Sequence, residues 1–236
     1  MNRALERSLK SAFPAPPPGR KAAFLKLHRR QELGRWDMLR IQAGYIRRWV
    51  WGLSAALFFI IAYLTVHIAG ELRWAASALT PFLALLAATE WGKSRRWGME
   101  ELERACRVPP QRMALDRMLL LGLFHLALLA LLTPLLALRL EIGAVRAGVY
   151  LLTPYLLTTV LSLEATRRIL GRECLPVCLT AAGAVSALGL LAPSVGLPLY
   201  TPEQLPGWLT GLAALAALTA AQLKTNLKEW EERKWN

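Results

Sequence analysis

Six apolar runs divide this chain, at residues 49–68, 74–92, 118–138, 147–163, 175–193 and 207–223, and each is close to the length a helix needs to cross a bilayer. Backbone groups in hydrocarbon have no water to bond, so the runs predict helices rather than strands. The fold class expected is therefore all-α: a polytopic membrane protein with six transmembrane helices. The first run begins too late, and is too long, to be the core of a secretory signal, which leaves targeting to the spanning segments.

Charge orients the bundle. A net charge of +13 on a soluble chain would point to nucleic acid, but here the 29 Lys and Arg residues gather between apolar runs, so no nucleic-acid partner is expected. With the N-terminus in the cytoplasm, the inner segments hold 12 basic residues before residue 49, seven in 93–117, three at Arg167, Arg168 and Arg172, and four after residue 223. Only Arg73, Arg139 and Arg146 fall outside, which predicts both termini in the cytoplasm of a cell-membrane protein. Trp49, Trp51, Trp91, Trp230 and Trp235 fit the inner surface, and Trp74, Tyr150, Tyr200 and Trp208 the outer one.

The domain organisation follows. Residues 1–48 form a basic cytoplasmic tail, with an amphipathic piece at Leu5, Leu9, Ala12 and Phe13, a proline spacer at 14–19, and a second basic piece at 20–35. Residues 36–50 read as an interfacial helix. Met38, Leu39, Ala43, Tyr45, Ile46, Trp49 and Val50 share one side, with Gln42 the exception, while Asp37, Arg40, Arg47 and Arg48 take the other and suit anionic lipid. Residues 49–223 hold the six spans, and 224–236 form a cytoplasmic tail.

The longest polar interruption, residues 93–117, reads as a cytoplasmic docking element. A short helix is expected from Met99 to Arg107, stopped by Pro109 and Pro110. Met99, Leu102 and Cys106 recur on one side as candidate anchors, with Glu101, Arg104 and Arg107 as candidate rim charges.

Catalytic chemistry is not expected. Gly92-Lys93-Ser94 imitates the end of a phosphate-binding loop, but Ala87 stands where the first glycine belongs and no strand precedes it. Cys174 and Cys178 lie one helical turn apart without a third ligand nearby, and all three cysteines fall on the reducing side, so neither a metal nor a disulfide is expected. No cofactor is expected either. His125 falls mid-span, where an imidazole needs a partner, and is the candidate intramembrane polar site. Pro81, Pro134 and Pro154 each free a carbonyl inside a span that a neighbour must satisfy. Small residues crowd the fifth and sixth runs and permit close helix contact, within the bundle or at a subunit seam.

The topology and central segment resemble the membrane subunit of a type-2 ABC exporter. That resemblance rests on Glu90, Arg95-Arg96, Gly98-Met99, Glu101-Leu102 and Val108-Pro109, and on the outer insertion 194–206 before the last span. Two departures are Met99 where the class favours Thr, and the charged stretch 103–107 where it is apolar. The resemblance implies a non-catalytic permease that pairs with a similar chain or with itself and is driven by a separate ATPase docked on 93–117. The same stretches, with residues 42–51, also resemble a group of small uncharacterised membrane proteins of Gram-positive bacteria. That second resemblance leaves the function open, and the alternative expectation, from the long basic N-terminal segment, is a membrane-anchored regulatory protein that binds a cytoplasmic partner through residues 1–48.

Overall fold

The computed structural model describes residues 34–67, 75–91, 93, 98, 110–169, 173–196 and 200–232. The chain forms two units, residues 1–35 and 36–236, and the first lies almost wholly outside the described residues, together with the helical pieces expected there. Every regular element among the described residues is helical. In chain order these are α1 (Arg35–Tyr45), α2 (Arg48–His67), α3 (Ala75–Trp91), α4 (Pro110–Leu140), α5 (Ala144–Arg168), α6 (Cys174–Ser194) and α7 (Leu205–Glu232), with a 3-10 turn, Pro202–Gln204, before the last. Five helical stretches are long and apolar enough to cross a membrane: Arg48–His67, Arg112–Leu140, Ala144–Arg168, Cys174–Ala192 and Pro202–Asn226. The sixth apolar helix, α3, has 17 residues.

Helix α3 is the centre of the bundle, and it packs on α2, α4, α5 and α6. Nearly all its side chains are buried, and Ala75, Ala76, Ala78, Ala84, Ala87 and Ala88 let neighbouring backbones come close.

Each surrounding helix turns one seam inward. In α4 the seam is Ala114, Arg117, Leu121, His125, Leu129, Leu132 and Leu136, while Leu119, Leu123, Leu131 and Leu138 are exposed. Steps of three and four keep such a seam on one side of a helix, so the leucines between face outward. In α2 the seam is Val50, Ser54, Ile61 and Thr65. In α6 it is Cys174, Cys178, Ala182, Val185 and Ala192, and at Gly189 a Cβ would come within 3.3 Å of Ala78 Cβ, which marks a close α3/α6 approach. Helix α7 has a different character: its most apolar 18-residue stretch buries none of its residues, and it packs chiefly on α5.

Residues 36–50 do not form the single helix expected. The chain breaks at Ile46-Arg47, and Met38, Gln42 and Ile46 are buried while Trp36, Ile41, Tyr45 and Trp49 are exposed. The reason is phase. At 100° per residue, an unbroken helix would carry Val50 about 120° away from the side that Met38 occupies, so one stripe could not serve both packing surfaces. The break resets the phase, and Ile46 and Val50 then pack together against Leu86, Ala87 and Leu121.

Candidate functional site

The docking residues Met99, Glu101, Leu102, Arg104, Cys106 and Arg107 lie outside the described residues. The two ends of their segment do not. At its entry, Lys93 pairs with the buried Glu90 (3.1 Å) and donates to the Tyr45 carbonyl (3.1 Å) at the C-terminus of α1, where a cation also suits the helix dipole. At its exit, α4 begins with Pro110, whose missing N–H costs nothing in a first helical turn. Two turns on, the buried Arg117 donates through Nε to Gln42 Oε1 (3.0 Å), and its guanidinium lies 6.0 Å from the centre of the Tyr45 ring. Gln42, the polar exception on an otherwise apolar side, is thus the acceptor for a buried guanidinium. Trp91 closes the same end by packing with Ala114 and Leu163. Helix α1 is therefore held by polar contacts to both flanks of segment 94–109.

His125 sits fully buried on the α4 seam. Its Nε2 lies 2.9 Å from Ser54 Oγ on α2, and its Nδ1 lies 3.4 Å from the Tyr155 hydroxyl on α5. A neutral imidazole offers one donor and one acceptor, and both hydroxyls can take either role, so the three side chains satisfy one another in either tautomer. The 2.9 Å contact is the strong one. Three helices are joined at one level by groups that lipid could not solvate.

A second polar node, centred on Ser77, was not singled out from the sequence. Pro154 cannot donate to the Tyr150 carbonyl one turn back, and Ser77 Oγ on α3 donates to that carbonyl at 2.6 Å. Pro81 likewise orphans the Ser77 carbonyl, which accepts from Thr80 Oγ1 at 2.8 Å. Beside this node, burial raises the Tyr200 phenol above its ordinary value, with a lowering contribution from the Ser77 hydroxyl and a smaller raising one from Tyr150. Tyr150, Tyr200 and Trp208 pack ring on ring beside it, with centroids 5.2 to 5.8 Å apart. The prolines were a legible signal, but the donors that answer them come from another helix and from a residue beside the break.

Cys174 and Cys178 are buried, with sulfurs 3.8 Å apart, and pack against Leu85 and Ala182 at the α3/α6 seam. Among the described residues no three His, Cys, Asp or Glu side chains gather as a metal site would require. No family model, curated protein or solved structure matches the chain.

Proposed function

We propose that the chain is a permease-like subunit of an ABC-type exporter, driven by a separate ATPase that docks on residues 93–117. One observation carries the reading: the two flanks of that segment are tied to α1 and to the bundle by polar contacts, the buried pair of Arg117 with Gln42 and the more exposed contacts of Lys93 with Glu90 and the Tyr45 carbonyl. Force applied to such a segment would pass into α3 and α4 rather than be lost in a loose loop. Switching between two packed arrangements needs a lever of this kind.

In this reading α3 is the sixth span, packed on α2, α4, α5 and α6, and both termini are cytoplasmic, a topology supported by the distribution of Lys and Arg. The exposed Trp36, Tyr45 and Trp49, next to the exposed Arg40, Arg47 and Arg48, suit the headgroup layer of an anionic membrane. The small-residue surface of α7 suits pairing with a second copy or a similar chain. Purification of the full chain in mild detergent tests the whole proposal. It expects a stoichiometric ATPase and two polytopic chains per particle. A strictly monomeric particle carrying a soluble regulator on residues 1–48 would replace it with the anchored-regulator alternative.

A further inference from the structure

Beside the Ser77 node, a recess of about 120 Å³ opens between α3, α5, α6 and α7. Its walls include Ser77, Thr153, Pro154, Val185, Gly189 and Trp208. Three features fix what it can hold. The serine and threonine hydroxyls that reach it are committed: Ser77 to the Tyr150 carbonyl and Thr153 to the Val149 carbonyl. A space whose polar groups are already satisfied gives water too few partners, and apolar cavities of about this size stay dry and admit benzene. The rim includes Leu188, which is 63% exposed among other outward-facing apolar side chains, so entry is from the apolar surroundings of the bundle.

From this we infer that the recess is a binding site for a small uncharged apolar molecule dissolved in the bilayer, about the size of one aromatic ring. A compact recess of this volume suits a ring better than the long groove an acyl chain requires. Gly189 in its wall permits the close α3/α6 approach beside the recess, since a Cβ there would lie 3.3 Å from Ala78 Cβ. An occupant would touch both Ser77 and Pro154, so it would bind where the α3 and α5 hydrogen-bond ladders are interrupted at one level. The inference stands apart from the exporter reading.

The experiment is photolabelling of the full chain in lipid nanodiscs with trifluoromethyl-phenyldiazirine, a ring-sized apolar probe, with adducts mapped by mass spectrometry. Adducts at Thr153, Leu188 or Trp208 should saturate with probe and be suppressed by excess toluene, whereas adducts at the exposed Leu123 and Leu131 should rise in proportion to probe and ignore toluene. Thr153→Phe, which fills the recess, should remove the saturable component and leave the other. The toluene arm needs no variant, so a misfolded Thr153→Phe would not protect the inference. Labelling that never saturates in the natural chain would overturn it. Efficient labelling of the recess by a diazirine-bearing phospholipid that toluene cannot displace would also overturn it, by showing an acyl chain in residence.

Discussion

Replacing Ser77 by Ala should destabilise the bundle through one identifiable bond. Pro154 removes the backbone N–H that would serve the Tyr150 carbonyl in its own helix, and Ser77 Oγ at 2.6 Å supplies a donor only on packing. Interhelical hydrogen bonds in membranes contribute on average about 0.6 kcal/mol, because the unpacked helices find other partners. The Tyr150 carbonyl also lacks the backbone donor that an unpacked helix would otherwise keep for it, so we expect about 1 to 2 kcal/mol here. The decisive comparison is a double-mutant cycle. In Pro154→Ala the helix regains an N–H for that carbonyl, and Ser77→Ala should then cost only a few tenths of a kcal/mol, which gives a coupling of about 1 kcal/mol. Reversible unfolding by SDS in mixed micelles, followed by tryptophan fluorescence, measures each corner. Equal losses in the two backgrounds would refute the assignment of Ser77 as the donor that answers Pro154.

Three further outcomes are expected. Ser54→Ala should cost about 1 kcal/mol in the same assay and more than Tyr155→Phe, since the Ser54 contact to His125 is 2.9 Å and the Tyr155 contact 3.4 Å; the reverse order would mean that the histidine leans on α5 instead. Gln42→Leu removes a neutral acceptor from the buried Arg117 and should cost about 1.5 to 3 kcal/mol, whereas Gln42→Glu should keep the contact; equal stability of Gln42→Leu and the natural chain would show that α1 is not held through this pair. Cysteines introduced at Ser94 and Ser194 should react with impermeant maleimide from inside and outside the cell respectively, and reaction of both from one side would overturn the proposed topology.

Much of the helical framework could be read in the chain because the bilayer permits few alternatives. Run length predicted the helices, and the need of His125 and of each proline for a partner followed from the cost of bare polar groups in hydrocarbon. Which residue would answer was not legible, since Ser54 precedes His125 by 71 positions and Ser77 precedes Tyr150 by 73. Gln42 is the exception in an apolar stripe, and its reason, the Arg117 guanidinium, lies 75 positions away. The break at Ile46-Arg47 was missed because a helical wheel assumes a constant phase over residues 36–50, whereas packing on two surfaces demands a reset. The recess could not be foreseen at all, because four helices and the segment before α7 each contribute a wall.

The exporter proposal rests most directly on what segment 93–117 holds. The measurement is partner retention during purification of Leu102→Asp, with membrane expression and the partner's ATPase rate recorded alongside, and with Arg20→Asp as a control in the N-terminal tail. Burying a carboxylate among apolar anchors is costly, so docking through this segment predicts that Leu102→Asp reaches the membrane at the natural level, loses the ATPase, and leaves the control unaffected. Retention of a fully active ATPase by Leu102→Asp would contradict the account and reduce the segment to a solvated loop.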